Sequence, residues 1–356
     1  MPPNYLTRRL LVSSTHPDPA LIAEAAGVIQ AGGLVAFPTE TVYGLGANAL
    51  DPDAVQRVFR AKGRPAHDPL IIHLCDPGDL PRVAVTVPPV AERLAAHFWP
   101  GPLTLIVPRA PAVPLTVSAG RETVAVRIPQ HVAALALIRA AGTPIVAPSA
   151  NRFGHTSPTT ADHVLADLDG RIDLVLDSGP TPIGLESTVL DVTPPLPRIL
   201  RPGAISLAQL SAVIGPVELG WQQADEQAGL VSPGMLDRHY APETELWFYI
   251  GPSESGLAWM QERIELYLAR GQSVGLLVSD EDAEILTWPG VDVERLGSAH
   301  NLDQVAQRLY AALRALDARR PAVILARDFG EEGLALAIRD RLTKAASGRV
   351  AGNKQM

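Results

Sequence analysis

Segments of helical and of strand character alternate along the first half of the chain, and this alternation constrains the fold more than any single motif. Asp18-Pro19 followed by Ala20 to Gln30 predicts a helix, with proline in its first turn and Gly32-Gly33 as its stop. Leu34 to Phe37 predicts a strand, and Pro38 to Gly46 a loop dense in hydroxyls and glycines that brings backbone close to a ligand. A helix from about Asp53 to Ala61, a strand from Leu70 to Cys75, a helix around Pro89 to His97 and a strand from Leu103 to Val107 continue the pattern. The fold class is therefore α/β.

The 356 residues are comfortable for two domains, and 47% hydrophobic with 19% charged residues is the balance of a folded, soluble protein. One cysteine, Cys75, excludes an intrachain disulfide. Met1-Pro2-Pro3-Asn4 leads into polar sequence and not into a charged-then-apolar leader, so a cytoplasmic location is expected. The net charge of -8 argues against broad electrostatic capture of nucleic acid or anionic lipid and leaves room for a local basic cavity.

Two polar clusters mark such a cavity, Lys62-Gly63-Arg64 and Ser149-Ala150-Asn151. Between Arg57 and His73 the cations Arg57, Arg60, Lys62 and Arg64 face the single anion Asp68. Arg57 and Arg60 read as cations at the negative end of a helix dipole. Lys62 and Arg64 are placed after the helix, on the Gly63 and Pro65 break, where a loop aims them. In Thr123 to Ile128, period-two alternation puts Thr123, Ala125 and Arg127 on one face, and in Leu70 to Leu74 it sets Ile71 and His73 together. An arginine among small residues on a sheet face suggests a lined cavity. The apolar stretch Pro144 to Ala147 ends at Pro148-Ser149-Ala150-Asn151, the strand end where α/β sheets bind ligands.

Several chemistries are disfavoured. Gly44-x-Gly46 lacks the third glycine of a dinucleotide fingerprint, and no Walker-type phosphate loop is present. Ser149 does not lie in G-x-S-x-G. Nine histidines and one cysteine form no H-E-x-x-H or paired-cysteine motif, so no protein metal site is expected; Mg2+ arriving with a nucleotide is.

Taken in order, Pro38-Thr39-Glu40-Thr41-Val42-Tyr43-Gly44-Leu45-Gly46, Ala61-Lys62-Gly63-Arg64-Pro65, Trp99-Pro100-Gly101-Pro102-Leu103-Thr104, Ala147 to Asn151, Glu186-Ser187-Thr188 and Arg201-Pro202-Gly203 closely resemble the signature of the YrdC-like threonylcarbamoyl-AMP synthases. The stretch Ser232-Pro233-Gly234-Met235 to His239-Tyr240-Ala241-Pro242 looks like the interdomain linker of the two-domain members. The resemblance implies a twisted mixed sheet around a large positive cavity and the synthesis of threonylcarbamoyl-AMP and pyrophosphate from L-threonine, bicarbonate or CO2, and ATP. The product would serve threonylcarbamoyl-adenosine modification of tRNA beside the anticodon, passed on to a tRNA threonylcarbamoyl-transferase complex, with at most weak contact with RNA and none with a membrane. It implies that Thr41, His73, Arg127, Ala147 and Ser187 hold threonine, that Arg64, Asp68, Thr123, Ser149, Asn151, Ser157, Arg201 and Tyr240 meet ATP, and that Lys62 and Arg64 act catalytically on its phosphates. Asp68, being anionic, suits a base or ribose contact better than a phosphate. The rival reading is a non-catalytic module binding double-stranded RNA or tRNA; 5% aromatics offer it little base stacking.

The expected domains are a YrdC-like catalytic domain over 1–215, a linker over 216–242 that closes over the nucleotide, a smaller Rossmann-like α/β domain over 243–343 and a flexible tail over 344–356. In the second domain Glu245 to Ile250, Val274 to Ser279 and Ala322 to Arg327 read as strands, with helices near Ser255 to Arg270 and Asn301 to Arg320.

Overall fold

A computed structural model describes residues 6–220 and 239–352. The chain divides into two compact units: residues 1–153, 157–182 and 186–235 form the first, and residues 154–156, 183–185 and 236–356 the second.

In the first unit, strands β1 (Arg8–Leu11), β2 (Val35–Phe37), β3 (Gly44–Asn48), β4 (Ile71–His73), β5 (Leu103–Pro108), β6 (Thr123–Arg127), β7 (Ile145–Val146), β8 (Leu174–Asp177), β9 (Thr188–Asp191), β10 (Arg198–Arg201) and β11 (Glu218–Leu219) build one mixed sheet. Its order is β1-β8-β2-β3-β7-β4-β6-β5-β9-β10-β11. Helices α1 (Pro19–Gln30), α2 (Pro52–Lys62), α3 (Pro89–Phe98), α4 (Val132–Ala141), α5 (Ala161–Leu168) and α6 (Leu207–Ile214) accompany it. Local chemistry sets their ends. The Asp18 side chain caps α1 by accepting from Ala20 N, Pro19 opens it, and Gly32 follows at φ 75. Asp51 caps α2, which stops at Gly63 in the left-handed region.

The central strands carry one apolar and one polar face. Leu70, Ile72 and Leu74 join Val124, Val126 and Ile128 in the main core. On the opposite side Ile71 and Ala125 form a smaller apolar cluster with Ile106, Val189 and Leu200, and His73 and Arg127 share that face by alternation. Because β4 and β6 are parallel with Ile71 opposite Ala125, His73 stands opposite Arg127.

The second unit holds a five-stranded parallel sheet, β12 (Leu246–Ile250), β13 (Val274–Val278), β14 (Val291–Arg295), β15 (Val323–Arg327) and β16 (Val350–Gly352), in the order β14-β13-β15-β12-β16. Helices α7 (Ser253–Leu268), α8 (Asp280–Ile285), α9 (Leu302–Arg319) and α10 (Leu334–Ala346) connect its strands. This alternation is the Rossmann-like pattern expected.

Four expectations need correction. Gly44 and Gly46 lie in β3, not in a loop, because a Cβ on Gly46 would stand 2.8 Å from the Phe37 ring and 3.1 Å from Val35 O; glycine lets the strands close up. Lys62 is the last residue of α2, not a loop residue. Residues 344–352 are not a flexible tail: α10 runs to Ala346, where Lys344 pairs with Asp340 at 2.7 Å, and β16 pairs with β12. Residues 216–220 extend the first sheet through β11, while 221–238, with Ser232-Pro233-Gly234-Met235 and most of the proposed closing linker, lie outside the described residues.

Candidate active site

The polar face is organised around Arg127. Its Nε donates to Gly101 O at 3.2 Å, its Nη1 to Thr41 Oγ1 at 3.0 Å, and its Nη2 pairs with Glu40 Oε1 at 2.7 Å. Thr41 is itself oriented by a hydroxyl turn. Thr39 Oγ1 donates to Val42 O at 2.6 Å and accepts from Thr41 N at 3.1 Å, so its contact with Thr41 Oγ1 at 2.8 Å is donated by Thr41. Across the register from Arg127, burial pushes the His73 imidazole down to about 3, and the neighbouring guanidinium adds to the effect. His73 is therefore a neutral ring, packed edge-on to Phe37 at 6.2 Å. Ala147 lies against the same strand, its N donating to Ile71 O at 2.9 Å.

A second group converges through Ser187. The Thr104 and Ser187 hydroxyls meet at 2.8 Å, and Arg201 donates from Nε to Ser187 O and from Nη2 to Ser187 Oγ, each at 3.1 Å. A register shift between Ile199 and Arg201 breaks the alternation of β10 and re-aims the arginine. Ser157 Oγ donates to Glu186 Oε1 at 2.5 Å. Gly203 fixes the approach, because a Cβ there would fall 2.3 Å from Thr188 N and 2.6 Å from Ser187 C.

The third group holds Lys62, Arg64, Asp68, Ser149 and Asn151. Lys62 Nζ donates to the main-chain oxygens of Ser149 and Asn151, bracing the end of α2 against the loop after β7. Burial drives its ammonium well below the usual lysine range, with Arg64 adding. Arg64 Nη2 pairs with Asp68 Oδ1 at 2.8 Å, and its Nε donates to Asp68 O at 3.2 Å. Burial raises the Asp68 carboxyl, while Arg64, Lys62 and Arg201 counter it, which ties this group electrostatically to the second. Asp68 thus faces a guanidinium. Buried here are Lys62, the guanidinium groups of Arg64, Arg127 and Arg201 and the carboxylates Glu40, Asp68 and Glu186.

Two further residues are assigned to ATP by resemblance. Thr123 is half-buried at the start of β6, about 13 Å along the strand from Arg127 at the usual rise per residue. Tyr240 belongs to the second unit, where its ring stacks on Tyr310 at 5.8 Å and Arg341 stands over it at 5.2 Å. Sequence reasoning assigned no role to Glu40, Thr104 or Glu186. Glu40 carried a usable signal, an acidic residue between two hydroxyls flanked by the buried runs of β2 and β3.

A family model described as Telomere recombination, covering the Sua5, YciO and YrdC proteins, matches residues 27–203, and one described as Threonylcarbamoyl-AMP synthase, C-terminal domain, matches residues 205–347. A threonylcarbamoyl-AMP synthase of Bacillus subtilis is 47% identical over 97% of this chain and 99% of its own length. The chain belongs to the threonylcarbamoyl-AMP synthase family. The family's Pyrococcus abyssi member is 45% identical over 92% of this chain and 94% of its own length. A crystal structure of P. abyssi Sua5 complexed with L-threonine matches with a TM-score of 0.90 and 42% identity, covering 97% of this chain and 99% of that one. These full-length matches within an enzyme family displace the reading of a non-catalytic RNA-binding module. No described helix is long and apolar enough to cross a membrane.

Proposed function

We propose that the chain is an L-threonylcarbamoyladenylate synthase, joining L-threonine, bicarbonate or CO2, and ATP into threonylcarbamoyl-AMP with release of pyrophosphate. The observation that carries this reading is the buried Arg127 fork, with Thr41, His73 and Ala147 gathered beside it, in a chain whose full-length relative of known structure was crystallised with L-threonine. Arg127 would take the amino acid's carboxylate, for which a planar bidentate donor is suited. The threonine amine, having given up a proton, attacks the carbon of bicarbonate with loss of water, or adds to CO2 with loss of a proton. The resulting carbamate oxygen attacks the α-phosphorus of ATP as the bond to pyrophosphate breaks. Fixed cations stabilise the charge that builds up there, and Arg64 and Arg201 are held buried for that purpose. Lys62 supports the same step by fixing the Ser149 to Asn151 loop.

Mg2+ would enter with ATP. Among the described residues no three His, Cys, Asp or Glu side chains converge to hold a metal, and phosphate oxygens of ATP would be ligands of the ion. The product would pass to a transferase that modifies tRNA beside the anticodon, in the cytoplasm. The test is pyrophosphate release from ATP and bicarbonate with and without L-threonine, in the wild type and in Arg127→Ala. Threonine-dependent release that the variant loses supports the reading; release indifferent to threonine refutes it.

A further inference from the structure

Arg127 is held against a carboxylate to which the resemblance gives no role. Glu40 sits in the turn between β2 and β3 at 4% exposure and pairs with Arg127 Nη2 at 2.7 Å. Both of its oxygens are buried, and neither accepts a hydrogen bond of good geometry among the described residues. An ionised carboxylate has about four acceptor positions, and leaving them empty in a buried site is unfavourable. Arg127, with Gly101 O, Thr41 and Glu40 as partners, keeps N–H groups for an incoming anion. Guanidinium and carboxylate in contact form a pair of opposite charges, which complements the carboxylate and ammonium that a free α-amino acid carries on one carbon. The guanidinium groups of Arg64 and Arg201 are buried in the same unit, as are the carboxylates of Asp68 and Glu186, and His73 is a neutral ring.

We propose that Glu40 receives the α-ammonium group of the amino-acid substrate while Arg127 takes its carboxylate. The pair then selects a zwitterion and holds the nitrogen, which reacts with bicarbonate only after one ammonium proton has passed to Glu40; this inference rests on the functional reading above. The test is titration calorimetry of wild type and Glu40→Gln with L-threonine and with 2,3-dihydroxybutanoate, which carries a hydroxyl in place of the ammonium. The wild type should prefer L-threonine by about 10- to 100-fold, the worth of a hydrogen bond to a charged group. Glu40→Gln should lose most of that preference, with affinity for the hydroxy acid changed little. If the variant weakens both ligands equally, Glu40 only orients Arg127 and the inference falls. A wild type without preference overturns it independently of whether any variant folds. Should the wild type bind no L-threonine at all, the functional reading falls, and this inference with it.

Discussion

His73 supplies a prediction whose size follows from its surroundings. Its imidazole is pushed from an ordinary 6.5 down to about 3 by burial and by Arg127. The unfolded chain therefore takes up the proton first as pH falls, and stability is lost through the window below 6.5 and on towards 3. Between pH 7 and pH 5 this one residue should cost the first unit about 2 kcal/mol. At pH 5 the figure is set almost wholly by the unfolded value, because a folded value anywhere below about 4 leaves the native ring neutral. For a body of this size, 2 kcal/mol corresponds to about 4–8 °C in Tm. His73→Gln carries no titrating proton, so the Tm difference between pH 7 and pH 5 should be smaller in the variant by that amount. All other groups titrate in both proteins and cancel. Thermal unfolding of the pair at the two pH values measures it. Equal pH sensitivity in both proteins, or a ring that titrates near 6.5 by NMR in the folded protein, would refute the assignment of a neutral buried imidazole.

Gly203→Ala should cost about 1–3 kcal/mol by overpacking and also weaken L-threonine binding, since the added carbon would meet the backbone of Ser187 and Thr188 at 2.6 and 2.3 Å. Gly142→Ala, at φ 67 with open space around it, should cost about 1–2 kcal/mol and leave affinity unchanged; unfolding and calorimetry on both variants separate backbone strain from site damage. Arg64→Ala strands the buried Asp68 and should destabilise by about 3–5 kcal/mol, whereas Arg64→Ala with Asp68→Ala should cost less than the sum of the two single changes, measured by denaturant unfolding. In the second unit, Arg327→Ala leaves Asp282 without its two donors at 2.8 Å and should lower that unit's unfolding midpoint by a similar energy, followed by circular dichroism.

What was legible in the sequence was local. Asp18, Pro19 and Gly32 bound α1 by capping and backbone rules that need no knowledge of neighbours. Alternation alone put Arg127 on the polar face of its strand and His73 on the same face as Ile71. Their facing each other was not legible, because the pairing of β4 with β6 joins segments far apart in the chain. The same limit hid Glu40, whose partner Arg127 is a long-range one. Gly44 and Gly46 misled, since glycine weakens a strand in isolation and only the closeness of Phe37 gives it a reason to be there. Beyond residue 343 the basic residues suggested fraying, yet Lys344 and the buried Arg341 both pair with Asp340, a carboxylate held below its ordinary range, where Lys344 and Arg341 outweigh the opposing effect of burial.

The two units use buried charge in different ways, and the difference says where the chemistry lies. In parallel α/β sheets ligands bind outside the carboxyl ends of the strands, where neighbouring connections part to opposite faces. In the second unit that place, at the ends of β13 and β15, is taken by the protein itself. Arg327 grips both oxygens of Asp282 at 2.8 Å and donates to Asp328 O at 2.7 Å, while Arg339 pairs with the side chain of Asp328. Each guanidinium there has a carboxylate of its own, which leaves little for a ligand to gain. In the first unit Glu40 has buried oxygens that, among the described residues, accept no hydrogen bond of good geometry beside the ion pair with Arg127, and Arg127 spreads its donors over Gly101, Thr41 and Glu40 with N–H groups to spare. Incomplete pairing is destabilising in the empty protein, and a zwitterion that completes it recovers that cost on binding. L-Threonine should therefore raise the melting temperature of the first unit. Glu40→Gln should diminish that rise by more than it diminishes any rise produced by 2,3-dihydroxybutanoate.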